Sequence, residues 1–172
     1  MARDLLGRVL CRRVAPRRVL RGRVVEVEAY DGPQDRACHG FIGRTKRNEA
    51  IFRTGGIVYV YLIYGMHHCL NVVTGENDYP SAILIRASEA PVEGANASGP
   101  GRLCRVFDVD REQNGCSLAG RELWLEAGEP VADREVRRTP RIGVDYAGVW
   151  AKRPYRFVLR GHPDVSGPKR LR

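Results

Sequence analysis

The segment YVYLIYGMHHCLN, residues 59–71, constrains the fold more than any other part of the chain because it predicts a β-hairpin rich in tyrosine. Aromatic and β-branched residues over 57–63 favour one strand, residues 69–73 favour its partner, and Gly65 supplies a turn. A three-residue loop over 65–67 would place Tyr61 opposite Asn71 with both on one face, whereas a two-residue loop would place Leu70 there. We expect the three-residue loop.

Tyr64 falls at the tip of this predicted hairpin, with Met66 and His67 beside it. The protein's own core cannot easily cover an aromatic side chain in that position, so the tip is expected to insert into a binding partner. Alternatively, each tyrosine could pack across the hairpin strands with its hydroxyl hydrogen-bonded, without contacting a binding partner.

A second informative pattern covers residues 23–30, where apolar and polar side chains alternate as in a half-buried strand. Val25, Val27 and Ala29 share one predicted face, and Glu26, Glu28 and Tyr30 share the other. The turn at residues 31–35 leads into a basic loop that carries His39, Arg44, Arg47 and Asn48. The carboxylates and this loop are therefore candidates for one site.

The remaining pattern is mainly that of strands. Residues 3–6 read as the end of a helix before Gly7, and strands are predicted over 9–14, 81–88, 123–125 and 157–159, with Leu84 and Arg86 on one face. Residues 108–115 and 127–136 are predicted as surface loops. Gly99 and Pro100 begin a short helix over 103–107. Its free amides and Arg102 suit a phosphate, although an ordinary helix started by proline explains the pattern equally well.

Composition favours a polyanionic partner, since 29 Lys and Arg residues face 20 acidic ones, giving a net charge of +9 and a pI near 9.8. A solvated arginine-rich surface is the bland alternative. The chain has no apolar run of roughly 20 residues and no secretory signal pattern at its start, so we expect an intracellular protein.

The cysteines indicate neither a disulfide framework nor a zinc site. They number five, an odd count, and share no Cys-x-x-Cys spacing, so we expect reduced thiols, several of them buried. His67 and His68 are adjacent and would point in opposite directions on a strand. We therefore expect no metal.

Several motifs together resemble the alkyladenine (3-methyladenine) DNA glycosylase family, the methylpurine-DNA glycosylase type. The central ones are EAYDGP (28–33), CHG (38–40), GRTKRN (43–48) and YVYLIYGMHHCLNVV (59–73). The motifs ARDLLG (2–7), ILIRA (83–87), SGPGRL (98–103), RIGV (141–144) and PYRF (154–157) complete the match in family order. The resemblance covers essentially the whole chain, and the hairpin motif is highly specific.

The resemblance implies a mixed α/β (α+β) fold, a single compact domain over residues 1–172 around a curved antiparallel sheet with a protruding DNA-inserting hairpin. It also implies a monomeric base-excision-repair enzyme that flips 3-methyladenine, 7-methylguanine, hypoxanthine or ethenoadenine out of double-stranded DNA and hydrolyses the N-glycosidic bond. Such an enzyme needs no cofactor.

Roles for individual residues follow from the same resemblance. Glu28 would be the general base, and Glu26 is the other candidate for that role. Either glutamate could instead form only an ordinary salt bridge on an exposed strand. Arg86 and the main chain at Ile142 would hold the attacking water. The flipped base would lie among Tyr30, His39, Tyr61 and Asn71, with Tyr64 intercalating, and DNA would be contacted by Arg44, Arg47, Met66, His67 and Arg102.

Three alternatives remain open at this point. His39 could simply cap a backbone carbonyl in its loop, and Asn71 could bond the hairpin backbone instead of selecting against the 2-amino group of guanine. The whole chain could be a catalytically silent basic module that binds single strands or RNA by stacking.

Lys46, Lys152 and Lys169 are the only lysines and lie outside the catalytic motifs, so we expect no Schiff-base chemistry and no strand cleavage. The departures from the family at Lys46, Ile51 and residues 54–56 are expected to lie outside the pocket.

Overall fold

The computed structural model describes residues 1–168, and their architecture is an antiparallel sheet with one short α-helix among the described residues. The strands are β1 (Val9–Ala15), β2 (Arg18–Asp31), β3 (Val58–Ile63), β4 (His67–Val73), β5 (Ser81–Ser88), β6 (Leu123–Glu126), β7 (Val136–Thr139) and β8 (Arg156–Leu159), and the helix is α1 (Pro100–Val106). Short 3-10 helices cover Arg3–Leu5, His39–Ile42, Glu49–Phe52, Arg111–Gln113, Asp133–Glu135 and Asp145–Lys152. The predicted mixed α/β fold around an antiparallel sheet is confirmed.

The long strand β2 organises the sheet, whose strand order is β3-β4-β5-β2-β1-β6. Its second half pairs with β5 along one edge, while the other edge pairs first with β1 and then, at residues 26–28, with β8. Register shifts around Glu26 mark a β-bulge, which bends a strand and increases its twist. One strand can therefore serve two differently oriented partners on the same edge.

The two faces of the sheet formed by β3, β4 and β5 have different surroundings. Val60, Leu70 and Ile85 point into the main hydrophobic core, where α1 supplies Leu103. Tyr59, Tyr61, Asn71 and Arg86 lie on the opposite face, with the 3-10 helices Glu49–Phe52 and His39–Ile42 beside them. As predicted, Val27 joins the core and Glu28 lies on the face shared with Tyr30.

The predicted register of the hairpin is wrong, because the three-residue loop lies one residue earlier in the chain than predicted. The three loop residues are 64–66 rather than 65–67, so Tyr61 pairs with Cys69, and Asn71 pairs with Tyr59. The turn places both Tyr64 (φ 52°) and Gly65 (φ 69°) in the left-handed region, and the amide of Met66 donates to the carbonyl of Ile63. A left-handed conformation is uncommon for a tyrosine, which is why the sequence favoured Gly65 as the first loop residue. Tyr61 and Asn71 still share a face, as diagonal neighbours.

Other boundaries differ more modestly. The predicted helix end near Gly7 is a 3-10 helix, and β2 starts five residues earlier than the predicted strand at 23–30. The predicted loop at 127–136 ends where β7 begins, because the polar strand β7 is held by pairing with β8 rather than by an apolar pattern of its own. The predicted strands at 81–88, 123–125 and 157–159 are observed, the last two each longer by one residue.

A buried ionic network joins three strands to the C-terminal segment. Oε1 of Glu26 accepts hydrogen bonds from Nε of Arg86 (2.8 Å) and Nε of Arg156 (2.7 Å). Ser166 adds its hydroxyl to the same oxygen (2.9 Å) and its amide to Oε2 (2.6 Å). The Glu26 and Arg156 side chains are fully buried, so each charge depends on the other for its compensation.

We expect Glu26→Ala to lower the free energy of unfolding by about 3–5 kcal/mol, because it leaves buried guanidinium groups uncompensated. Urea unfolding followed by circular dichroism measures the change. The exposed Glu93 is the matched control, and Glu93→Ala should change stability by no more than about 0.5 kcal/mol. A loss below about 1 kcal/mol for Glu26→Ala would contradict a structural role for the network.

Candidate active site

A cleft of about 560 Å³ opens on the face of the sheet that points away from the main hydrophobic core. It lies between the β3–β4 hairpin, the start of α1 and the loop that follows β7. The cleft brings together most of the predicted site residues, namely Tyr30, His39, Tyr61, Tyr64, His67, Asn71, Arg86, Arg102 and Ile142. It does not include Arg44, Arg47, Met66 or the carboxylate of Glu28 among its walls.

Glu28 lies behind the cleft wall with a relative exposure of 0%. Oε2 accepts hydrogen bonds from the Tyr30 hydroxyl (2.9 Å) and from Nη1 of Arg86 (3.3 Å). Oε1 accepts one from the amide of Ile142 (2.8 Å). All three donors belong to residues that line the cleft, so Glu28 is separated from the cleft only by the groups that hold it.

Arg86 connects the two buried glutamates, since it also donates to Glu26. Burial alone would lower the pKa of Arg86, but the carboxylates of Glu28 and Glu26 raise it. The guanidinium therefore stays charged. Burial, and after it the neighbouring Glu28, raises the pKa of Tyr30 well above its usual range, so the phenol stays protonated and donates.

His39, Tyr59 and Tyr61 form one aromatic wall. The rings of His39 and Tyr61 meet edge to face with centroids 4.3 Å apart, and those of Tyr59 and Tyr61 lie 5.3 Å apart. His39 and Tyr61 therefore contact each other and line the cleft together, and the enclosure of a flipped base by Tyr30, His39 and Tyr61 stays a prediction. Nδ1 of His39 lies 2.9 Å from the Tyr59 hydroxyl, and burial, followed by the charge of Arg47, lowers the His39 pKa.

Asn71 is held rigidly by the hairpin backbone. Its Nδ2 donates to the carbonyls of Tyr59 (3.0 Å) and Cys69 (3.3 Å), which uses both amide hydrogens. The backbone bonding weighed for this residue from the sequence is thus observed. Asn71 still lines the cleft, so its Oδ1 is the polar atom left to face a ligand.

The predicted DNA-contacting residues occupy different surroundings. Tyr64 is 83% exposed at the hairpin tip and Met66 is also exposed, as predicted for the tip. Arg44 is engaged by Glu49 and Asp78, and Arg47 donates to the carbonyl of Leu62.

His67 lies against the start of α1. A Cβ at Gly101 would lie about 3.1 Å from the His67 side chain, so the glycine allows this close approach. Arg102 donates to the carbonyl of Ser98 while lining the cleft.

Sequence reasoning missed four residues of the site. Tyr59 completes the aromatic wall, Tyr146 lines the cleft with 68% of its surface exposed, and Asp35 and Arg141 form a buried ion pair behind Tyr30. Tyr59 and Arg141 stood within the recognised motifs, so the signal was present. Asp35 and Tyr146 gave no comparable signal, because only the folded chain brings them to the cleft.

Along residues 1–168 no group of three His, Cys, Asp or Glu side chains is placed to hold a metal ion, and no helix is long and apolar enough to span a membrane. All five cysteines are free thiols and four are buried, as expected. Lys46 and Lys152 are exposed and outside the cleft, and Lys169 lies outside the described residues.

Comparison with known proteins decides the family. Residues 1–163 match the family model described as methylpurine-DNA glycosylase. The chain belongs to this family. It is 50% identical over 169 residues to a protein of Anaeromyxobacter sp. (strain Fw109-5), covering 96% of this chain and 86% of that protein.

Further relatives of the methylpurine-DNA glycosylase family occur in Myxococcus xanthus (48% over 173 residues, 98% of this chain and 88% of the relative) and Methanocella arvoryzae (46% over 182 residues, 96% and 89%). All three relatives are named provisionally as 3-methyladenine DNA glycosylases. Of the departures from the family pattern, Ile51 lines the cleft, so the expectation that it lies outside the pocket is wrong.

His39 should make folding stability depend on pH. Its pKa is lowered on folding, so the unfolded chain binds a proton more readily, and stability falls as the pH drops below about 6.5 towards the folded-state pKa. Thermal unfolding between about pH 7.5 and 5 should therefore show a shallower loss for His39→Gln than for the wild type. Parallel curves for the two proteins would show that the buried neutral imidazole contributes nothing.

Proposed function

We propose that this chain is a monofunctional DNA glycosylase that removes damaged purines from double-stranded DNA, acting as a monomer inside the cell. The substrates proposed are 3-methyladenine, 7-methylguanine, hypoxanthine and ethenoadenine. The observation that carries the proposal is a buried carboxylate, Glu28, held by three donors at the back of an aromatic cleft with an exposed tyrosine at its mouth.

Glu28 is better suited than Glu26 to act as the general base. Glu26 accepts four hydrogen bonds, from Arg86, Arg156 and twice from Ser166, and of these residues only Arg86 lines the cleft. Glu28 accepts three, one of them on Oε1, and all three of its donors belong to residues that line the cleft. Each carboxylate oxygen offers about two acceptor positions, so Oε1 of Glu28, beside Ile142, is the proposed acceptor for a water.

The proposed reaction is attack of that water on C1′ of the flipped nucleotide. The water loses a proton to Glu28 as its oxygen bonds to C1′, the C1′–N bond breaks, and its electron pair leaves with the purine. The negative charge of Glu28 also stabilises the oxocarbenium-like sugar. Arg86 keeps Glu28 in place and offers positive charge towards the nucleotide.

The aromatic wall and the hairpin tip support base flipping. A purine that enters the cleft can stack against the joint surface of His39 and Tyr61 or the ring of Tyr30, and an alkylated, cationic purine is attracted further by aromatic faces. His39 is favoured as a neutral imidazole there and does not repel such a cation. Tyr64 is placed to fill the space that the nucleotide vacates.

Asn71 is proposed to exclude guanine by shape. With both of its amide hydrogens bound to the backbone, the group facing the cleft is the acceptor Oδ1, which could accept a hydrogen bond from a 2-amino group. An unsatisfied amino group therefore does not explain selectivity. A fixed side chain that crowds the amino group does, and 7-methylguanine, which carries the same group, is accepted because its cationic ring is attracted more strongly to the aromatic faces.

A glycosylase that also cleaves the strand needs an amine at the cleft to attack the sugar. Lys46 and Lys152, the lysines among residues 1–168, are exposed and lie outside the cleft. Direct attack by water is thus the proposed route, and its product is an intact strand with an abasic site.

We expect Glu28→Gln to lower the single-turnover rate of hypoxanthine release by about 10²–10⁴-fold while duplex affinity is retained, because the base is lost but the fold and the cleft remain. The substrate is a labelled duplex with one inosine, treated with alkali to reveal abasic sites. Breakage of the wild-type product only after alkali supports the monofunctional route.

Three outcomes would contradict the proposed reaction, each in a different way. Breakage without alkali would indicate a lyase. Equal rates for wild type and Glu28→Gln would remove Glu28 from catalysis. Failure of the wild type on hypoxanthine, 3-methyladenine and ethenoadenine would favour the silent nucleic-acid-binding module.

Tyr64→Ala should weaken binding to a lesion-containing duplex by about 10-fold, the cost of one lost stacking contact. Fluorescence anisotropy at fixed salt measures the dissociation constant. Tyr79→Ala is the control, because Tyr79 is partly exposed but lies outside the cleft. An equal loss for both variants would show that the tip has no special contact with DNA.

A further inference from the structure

We propose that the buried Asp35–Arg141 ion pair is a positioning element of the active site, which fixes the ring of Tyr30 and the main chain at Ile142 and thereby holds the general base Glu28. This inference rests on the proposed glycosylase function. It assigns a role to two residues that do not line the cleft themselves.

The ion pair is fully buried and doubly hydrogen-bonded. Nη1 of Arg141 donates to Oδ2 of Asp35 (2.5 Å), and Nη2 donates to Oδ1 (2.8 Å). The same nitrogens also donate to the carbonyls of Ala29 (2.8 Å) and Trp150 (3.2 Å). Arg141 is therefore fixed relative to β2 on one side and to the Asp145–Lys152 segment on the other.

The first consequence concerns Tyr30. The guanidinium carbon of Arg141 lies 4.7 Å from the centre of the Tyr30 ring, and 5.3 Å from that of Tyr155. A planar cation stacked on one side fixes the tilt of a ring. The tilt of Tyr30 determines where its hydroxyl points, and that hydroxyl donates to Oε2 of Glu28.

The second consequence concerns Ile142, the next residue in the chain. Its amide nitrogen, which donates to Oε1 of Glu28, is joined by the peptide bond to the carbonyl carbon of Arg141. The bonds of the Arg141 guanidinium to Asp35 and to two main-chain carbonyls tether the chain at this point and so limit where the amide can lie. Two of the three donors that hold Glu28 depend on one side chain, and the third, Arg86, is held separately by Glu26.

A purely structural role explains the arrangement less well. Replacing a buried ion pair with apolar side chains is often neutral or stabilising, so stability alone is a weak reason for one. Nε of Arg141 is also buried without a hydrogen-bond acceptor among the described residues. The side chain thus leaves one donor unsatisfied while it keeps the geometry that stacks on Tyr30.

The test is a double-mutant cycle on single-turnover hypoxanthine release, with Arg141→Lys and Tyr30→Phe as the two changes. Lysine keeps the charge but loses the two-pronged bond and the stacking plane. We expect Arg141→Lys to slow release by about 10–100-fold, as small misplacements of catalytic groups do, with duplex affinity within about threefold of wild type. In the Tyr30→Phe background the further slowing should be at least about threefold smaller, because the hydroxyl is already gone.

Arg12→Lys is the matched control, since Arg12 is a mostly buried arginine paired with Glu122 away from the cleft. It should lower the melting temperature, leave the release rate unchanged, and show no coupling to Tyr30→Phe. If Arg141→Lys does not fold, Asp35→Asn replaces it, because it removes the charge of the pair with little change in shape.

Two results would overturn the positioning role. One is a wild-type release rate in a folded Arg141→Lys or Asp35→Asn protein, and the other is slowing that multiplies fully with that of Tyr30→Phe. A wild-type protein that releases no base from any of the lesions would instead overturn the glycosylase function itself, and the inference with it.

Discussion

The burial of two glutamates in the middle of a sheet is the constraint on which the rest of this structure depends. Glu26 and Glu28 are both fully buried on β2, and a buried carboxylate persists as an anion only if cations and hydrogen-bond donors surround it. Arg86 reaches both from β5, and Arg156 reaches Glu26 from β8. The strands that flank β2 are thus joined to it by charge as well as by backbone pairing.

The two glutamates differ in which residues hold them. Glu26 is bound by Arg86, Arg156 and Ser166, of which only Arg86 lines the cleft. Glu28 is bound by Tyr30, Arg86 and Ile142, all of which line the cleft. Loss of Glu26 therefore removes an anchor of the fold, whereas loss of Glu28 removes the proposed general base.

Much of this arrangement was predictable from local patterns. The alternation along β2 placed Glu26, Glu28 and Tyr30 on one face, and the hairpin motif placed Tyr61 and Asn71 together, because side-chain direction in a strand has a period of two residues. The hairpin register was not predictable, since it depends on a left-handed Tyr64 that the local sequence does not favour. Moving the loop by one residue changes the residue opposite Tyr61 by two positions, from Asn71 to Cys69. Because side chains alternate with a period of two, Tyr61 and Asn71 remain on the same face.

The sequence by itself determined the family, the strand-rich fold and many of the residues facing the cleft, because these follow from motifs and from short-range periodicity. Only the tertiary structure decided that the donors to Glu28 line the cleft, that His39 and Tyr61 touch, and that Asp35 and Arg141 meet behind Tyr30. Those facts depend on contacts between residues that are distant in the chain, such as Asp35 and Arg141, which are 106 positions apart. No periodicity encodes such a distance, and the fold alone brings the partners together.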